Sequence, residues 1–205
     1  MNTNHSSQPL LRLLVFTLAL TSFACLLGQF YGLWPMRAFA CLVFPPATIL
    51  LVWLARRGGP ARTWIVIGAE SGLIAALAYD LYRVPFVLRG APLFTVFTKF
   101  GQLLLDAPGP RWLTETLGWT YHFSNGAALG IMFLAMASGA SRRMLLYGGI
   151  IWALFVEAML LLTPYSAFFG LKMTAWFIFL TASAHLIFGI VLGLWSRHRL
   201  HPLAR

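Results

Sequence analysis

The sequence predicts an all-helical, multi-pass membrane protein that forms one domain over residues 1–205. Hydrophobic residues make up 60% of the chain and charged residues only 10%, whereas a soluble domain is about 45–50% apolar and about 25% charged. Several apolar segments reach the ~20 residues that a helix needs to cross the hydrocarbon core. The basic residues, which give a net charge of +10, cluster near the ends of those segments. These observations exclude a soluble enzyme.

Six apolar segments are long enough to cross a membrane as helices. They are separated by turns rich in Pro, Gly and Arg, such as the basic loop 56–60 after the second segment. Pro45 and Pro46 lie inside the second segment, so we expect a kink or an unwound turn there. The predicted spans are 10–34, 38–55, 63–84, 118–139, 144–163 and 172–195.

The connection 85–117 is the one long segment between predicted spans. Its residues 93–105 alternate apolar and polar side chains and are followed by a Pro- and Gly-rich turn at 106–110. This pattern favours an amphipathic helix that lies on the outer membrane surface. A re-entrant segment, or a lid over a site between the helices, is the alternative.

The basic residues predict the orientation of the helices. Cytoplasmic loops of membrane proteins carry an excess of Lys and Arg, and every short basic cluster of this chain falls on one side if the N-terminus is inside. Those residues are Arg12, Arg56, Arg57, Arg62, Arg142, Arg143, Arg197, Arg199 and Arg205. We therefore expect both termini on the cytoplasmic side of an inner membrane. The positive charge is then explained by topology and lipid headgroups, without nucleic acid.

Ionisable residues inside membrane spans are costly and mark candidate functional sites. Counting about 1.5 Å per helical residue places His122 and Glu157 about 6 Å and 9 Å below the outer ends of their spans. Asp80 and Arg83 end the third span on the same side. The same count places Glu70 and His185 in a second, deeper tier, with the two histidines roughly 14 Å apart in depth. The candidate ligand-binding or proton-relay residues are Asp80, Arg83, His122, Asn125, Glu157, Glu70 and His185.

Each of these residues also has a structural interpretation. Asp80 and Arg83 are three residues apart on one helix and could neutralise each other. His122 and Glu157 could form a structural pair between two helices. Because four spans each contribute an ionisable group, we favour a functional role for the cluster as a whole.

A pattern of one histidine and two glycines occurs twice. His122, Gly126 and Gly130 share one helical face, and so do His185, Gly189 and Gly193. Such glycines commonly let two membrane helices pack closely. Alternatively, the groove could admit a haem, a quinone or a lipid chain, although the predicted depths leave the histidines too far apart to bind one haem.

Two segments resemble uncharacterised small bacterial inner-membrane proteins of the YagU-like kind. The resembling segments are 121–130, which reads YHFSNGAALG, and 184–193, which reads AHLIFGIVLG. The resemblance extends over about residues 119–195. It implies an inner-membrane location and a multi-pass topology, and it assigns no catalytic residue.

Three function classes remain open. The first is binding or transport of a small or amphipathic ligand, with proton coupling through the histidines. The second is a membrane-embedded enzyme that acts on a lipid or a quinone through a His/Glu acid–base pair. The third is an assembly subunit whose glycine faces bind partner subunits or a second copy of the chain. We favour the first, because the sequence shows no nucleophile motif, no metal-ligand set and no cofactor motif.

Overall fold

The computed structural model describes residues 8–137 and 139–201, and these residues form helices connected by short turns and loops. The helices are α1 (Gln8–Phe30), α2 (Met36–Leu42), α3 (Phe44–Arg57), α4 (Gly59–Val87), α5 (Thr95–Leu105), α6 (Arg111–Ala137), α7 (Arg142–Leu162), α8 (Tyr165–Phe169) and α9 (Ala175–Leu200). No strand occurs in either described range. The predicted all-helical class is therefore confirmed.

Five segments are long and apolar enough to cross a membrane: α1, α2 together with α3, α4, α7 and α9. Their outer surfaces carry large apolar side chains that a water-soluble monomer would not expose in such number. Examples are Leu81, Ile151, Phe155, Trp176 and Phe179, all of which are more than half exposed. The protein is therefore a multi-pass membrane protein.

The fourth predicted span, 118–139, differs from the other five. It corresponds to α6, which has 27 residues but is not among the helices apolar enough to be recognised as a span. The reason is composition, because His122, Ser124 and Asn125 lie near the middle of α6. Helix α6 packs against α1, α4 and α5, and His122 and Asn125 contact side chains of α4 and α1, so these polar groups need not face lipid.

The second predicted span is interrupted, as the two prolines predict. Helix α2 ends at Leu42 and α3 begins at Phe44, with Val43 between them. Pro45 and Pro46 occupy the first turn of α3, where a proline costs no helical hydrogen bond. The expected kink is therefore a change from one helix to the next.

Helix α4 is the centre of the bundle. It packs along α6 on one side and along α9 on another, and α3 also lies against it. Helix α1 packs on α6, whereas α7 packs mainly on α9 and contacts α6 only weakly. A space therefore remains between α7 and the pair formed by α1 and α6.

Glycines allow the closest of these helix crossings. A methyl group at Gly72 of α4 would lie 2.0 Å from the carbonyl oxygen of Gly126 in α6. Across the α7–α9 crossing, a methyl group at Gly189 would lie 2.6 Å from the carbonyl oxygen of Gly149. Both distances are far below van der Waals contact, so these helices approach backbone to backbone.

Candidate ligand-binding site

A cavity of about 130 Å³ occupies the space between α7 and the rest of the bundle. Its walls come from α1, α4, α5, α6, α7, α8 and α9 and are mainly apolar. The polar side chains that line it are Tyr79, Arg83, His122, Asn125, Glu157, Tyr165, Ser166, Thr181 and His185. An apolar cavity with a few convergent polar groups is typical of a small-molecule site.

The first polar group in this region is a buried triad centred on Asp80. Its Oδ2 lies 2.8 Å from Nε2 of His122, and its Oδ1 accepts a hydrogen bond from Nη1 of Arg83 at 3.3 Å. Asp80 and Arg83 are each at most 5% exposed. The carboxylate thus joins α4 to α6 and also balances the charge of Arg83, as the spacing of the two residues predicts.

Arg83 is enclosed by aromatic rings and by the segment that follows α4. Its guanidinium carbon lies 4.5 Å from the ring centre of Tyr79 and 4.9 Å from that of Phe94. Its Nη2 donates a hydrogen bond to the carbonyl oxygen of Leu93, while its buried Nε has no partner. Arg83 therefore fixes the segment before α5 over the polar cluster, and its Nε–H remains without an acceptor.

The second polar group joins α7 to α9. Nδ1 of His185 lies 2.9 Å from Oε2 of Glu157 and 3.0 Å from the carbonyl oxygen of Thr181. The other carboxylate oxygen of Glu157 is buried and has no partner. Nε2 of His185 makes no hydrogen bond within the described ranges. This pair therefore offers an acceptor and a ring nitrogen, on residues that line the cavity.

Tyr79 connects the two groups and was missed by the sequence reasoning. Its ring centre lies 6.1 Å from that of His122 and 5.0 Å from that of His185. The two histidines therefore lie near the same level of the bundle, and the predicted depth difference of roughly 14 Å is wrong. The only sequence signal for Tyr79 is its position next to Asp80 and one helical turn before Arg83.

The predicted deeper tier of Glu70 and His185 is also wrong. Glu70 binds Arg199 in the last turn of α9, and it accepts a hydrogen bond from Nε1 of Trp195 at 3.1 Å. Its side chain is 30% exposed and does not line the cavity. The depth count failed because it measured each residue from the nearest loop, whereas the helices extend by different lengths beyond the bundle centre.

Asn125 lines the cavity and connects α6 to α1. Its Oδ1 accepts a hydrogen bond from the hydroxyl of Ser22 at 2.7 Å. The hydroxyl of Tyr121, one turn earlier on α6, donates to the backbone carbonyl of Ser22 at 2.8 Å. Asn125 therefore holds α1 at the cavity wall and leaves its amide group for other hydrogen bonds.

The glycines that follow the two histidines serve helix packing. The backbone of α4 fills the face of Gly126 and Gly130, and that of α7 fills the face of Gly189 and Gly193. These contacts support the packing interpretation of both glycine pairs, and Gly126 also lines the central cavity. Within residues 8–137 and 139–201, no group of three or more His, Cys, Asp or Glu side chains could hold a metal ion.

Helix α5 covers the polar cluster. Val96, Phe97 and Phe100 are buried and line the cavity, and the ring of Phe97 lies 4.4 Å from that of His122. Gly101 and Gly118 let α5 approach α6 at backbone distance. The segment 85–117 thus contributes a helix that closes one end of the site.

Comparisons with known proteins identify no relative from which the function of the site could be inferred. No protein-family model, curated protein or solved structure matches this chain. The resemblance to YagU-like proteins therefore stays a prediction.

Proposed function

We propose that this protein crosses the cytoplasmic membrane six times, with both termini inside, and binds or transports a small or amphipathic ligand. The ligand site is the central cavity with its polar lining residues Arg83, His122, Asn125, Glu157 and His185. Asp80 does not line the cavity but holds Arg83 and His122 in place. Helix α6 supplies the sixth crossing: its 27 residues would extend about 40 Å, against about 30 Å of hydrocarbon.

The contacts between helix ends support this topology. Arg142 at the start of α7 donates a hydrogen bond to the carbonyl oxygen of His201 at the end of α9. Arg37 in the first turn of α2 donates to the carbonyl oxygen of Leu105 at the end of α5. The basic ends of α7 and α9 are thus neighbours, and they belong to the side that carries the positive-charge excess.

The observation that carries the ligand-binding proposal is the unpartnered Oε1 of Glu157 in a mainly apolar cavity. Burying a polar atom without a hydrogen bond costs about 1–3 kcal/mol. A ligand that donates to this oxygen would remove that cost, and its apolar part would fit the remaining walls. The cavity of about 130 Å³ has room for a ring or a short stretch of chain.

Proton coupling follows from the two histidine–carboxylate contacts. A proton on His122 or His185 would convert the hydrogen bond between a neutral imidazole and the carboxylate of Asp80 or Glu157 into an ion pair. Histidine is the side chain whose charge changes most readily near neutral pH. Ligand occupancy and protonation of the site would therefore influence each other.

The ligand-binding proposal is tested by a substitution that reduces the volume of the central cavity and leaves its polar side chains unchanged. Val156 lines the cavity and is 3% exposed, whereas Leu154 on the same helix is 39% exposed and does not line this cavity. We expect Val156→Phe to weaken amphiphile binding about tenfold or more, and the matched control Leu154→Phe to leave it unchanged. The probes are phosphatidylglycerol, phosphatidylcholine and a short-chain quinone, and binding to the purified protein is read by native mass spectrometry.

Two results would contradict the ligand-binding proposal. One is that no probe binds to the folded protein. The other is that Val156→Phe and a second cavity-filling variant, Leu129→Phe, both fold and bind the probes as tightly as the unchanged chain. Size-exclusion chromatography and circular dichroism establish that each variant is folded before its binding is compared.

A membrane-embedded enzyme is the second candidate, and the Glu157–His185 pair favours it. Glu157 orients Nδ1 of His185 while Nε2 remains free for proton transfer to or from a ligand. The same mass measurement separates the two functions, because an enzyme would change the mass of the bound amphiphile and a binding protein would not.

A further inference from the structure

A second, more open cavity of about 840 Å³ adjoins the central one. It lies between the C-terminal end of α4, the segment before α5 and the segment before α9. Pro92, Leu93, Leu171 and Phe177 form walls of both cavities. In the proposed topology this outer cavity faces the non-cytoplasmic surface, so it forms the approach to the central cavity from that side.

Three basic residues and no acidic residue line the outer cavity. They are Arg89, Lys99 and Lys172. None of them has a carboxylate within salt-bridge distance in the part of the chain that the structure describes. The ammonium group of Lys99 donates to the carbonyl oxygen of Phe169, which leaves it two further N–H groups.

These charges lie on the side where membrane proteins carry fewer of them. The positive-inside rule favours Lys and Arg on the cytoplasmic side, so topology does not explain three cations around one outer cavity. Guanidinium and ammonium groups bind phosphate and carboxylate oxygens by charge-assisted hydrogen bonds. The cavity is thus suited to an anionic group.

The remaining walls are apolar and continue towards the lipid-facing surface. Phe86 and Trp176 are in edge-to-face contact at 6.2 Å, and Trp176 stacks on Phe179 at 5.6 Å. Trp176 and Phe179 are both more than half exposed. A hydrocarbon chain could therefore lie against these rings while its charged head is inside the cavity.

We infer that the ligand is an anionic amphiphile, with a phosphate-bearing head in the outer cavity. This inference rests on the proposed ligand-binding function and names the chemical class of its ligand. In this complex the phosphate of the ligand's head is bound by Arg89, Lys99 and Lys172. The hydrocarbon chain of the ligand contacts Phe86 and Trp176. Leu93 and Phe177 form the boundary between the two cavities, so the ligand enters the central cavity by displacing these side chains, towards Glu157 and His185.

The test compares an anionic and a zwitterionic lipid of equal chain length. The full-length protein is titrated with dioleoyl phosphatidylglycerol or with dioleoyl phosphatidylcholine, and the bound lipid is measured by native mass spectrometry. We expect one tightly bound phosphatidylglycerol and weaker phosphatidylcholine binding. We expect the double variant Arg89→Gln/Lys172→Gln to weaken phosphatidylglycerol binding about tenfold or more, because two charge-assisted contacts are lost.

The matched control is Arg56→Gln/Arg143→Gln, which removes the same charge from exposed residues near the cytoplasmic ends of α3 and α7. It should leave phosphatidylglycerol binding unchanged. An equal loss in both double variants would contradict the inference, because it would mean non-specific attraction to the whole protein. Equal binding of the two lipids by the unchanged chain would also contradict it.

Inorganic phosphate distinguishes a lipid headgroup from a soluble anion. If millimolar phosphate displaces phosphatidylglycerol and binds equally well by itself, the lipid's acyl chains contribute nothing to its affinity. The assignment of the ligand as an amphiphile would then be wrong. If a neutral amphiphile binds and Val156→Phe weakens its binding, the ligand-binding function stands and only its anionic character fails. If no amphiphile binds at all, both proposals fail.

Discussion

Asp80 is the residue on which the polar cluster depends most. It is buried and accepts hydrogen bonds from residues on two different helices, since His122 belongs to α6 and Arg83 to α4. Removing one partner of a buried ion pair typically costs about 3–5 kcal/mol, because the other charge stays buried without compensation. Arg83 would be left in that state.

We therefore predict that Asp80→Asn lowers the stability of the protein by about 3 kcal/mol or more. The change keeps the shape of the side chain and removes the charge opposite Arg83. Thermal unfolding in detergent, followed by size-exclusion chromatography, measures the loss. The control is Glu115→Gln, which removes a carboxylate from the exposed Arg111–Glu115 pair and should shift the midpoint little. Equal midpoints for the two variants would contradict the structural role of Asp80.

At this scale the sequence predicted some contacts and missed others for physical reasons. The Asp80–Arg83 pair follows from a spacing of three residues on one helix. The Glu157–His185 pair does not, because it depends on how far α7 and α9 extend past each other. Glu70 was misplaced for the same reason, since its partner Arg199 belongs to a helix that continues beyond the predicted span.

At the scale of elements, glycine contacts determine how the helices are arranged. The α4–α6 crossing is backbone to backbone, with Gly68 and Gly72 facing Gly126 and Gly130. It brings Asp80 and His122, which lie on the same two helices, within hydrogen-bond distance. The geometry of the site therefore depends on glycines at this crossing, because any larger residue would keep α4 and α6 further apart.

Gly72→Ala should consequently destabilise the protein by roughly 1–3 kcal/mol, as overpacking does in other close-packed interiors. The added methyl group would lie 2.0 Å from the backbone oxygen of Gly126, so α4 and α6 would have to separate. Gly148→Ala is the matched control, because its methyl group meets only the side chain of Phe133, at 3.4 Å. Thermal unfolding compares the two. A smaller effect at Gly72 than at Gly148 would show that the crossing is not close-packed.

The apolar runs predicted the positions of most helices within a few residues, because spanning segments require continuous apolarity. The proline pair likewise predicted the break at Val43. Helix α6 is the exception: it was predicted as a span, but His122, Ser124 and Asn125 near its middle keep its hydropathy below that of the five candidate spans. Whether two glycines four apart serve packing or a ligand depends on which helix faces them, which sequence spacing does not specify.

At the scale of the whole molecule, the central question is topology. With six crossings, Gly58 between α3 and α4 is on the cytoplasmic side and Gly109 between α5 and α6 is on the other. We predict that reporter fusions at these two positions give opposite signals, with cytoplasmic activity at Gly58. Signals from the same side at both positions would contradict the proposed arrangement of the helices between them.

In the topology and function proposed above, the ligand reaches the protein from the outer side. The outer cavity is basic, the central cavity is apolar with two histidine–carboxylate contacts, and α5 lies over the polar cluster. Glu70 and Arg199 form a separate contact away from the central cavity. In that proposal, the ligand binds at the centre of the bundle, and the basic residues at the opposite end determine topology.

The most direct test of ligand binding in the central cavity is photo-crosslinking with a diazirine-bearing phosphatidylglycerol, mapped by peptide mass spectrometry. We predict labels on cavity residues such as Leu129, Val156 and Phe188, and their loss when unlabelled phosphatidylglycerol competes. Labels confined to lipid-facing residues such as Ile151 and Phe155, and unaffected by the competitor, would contradict the account.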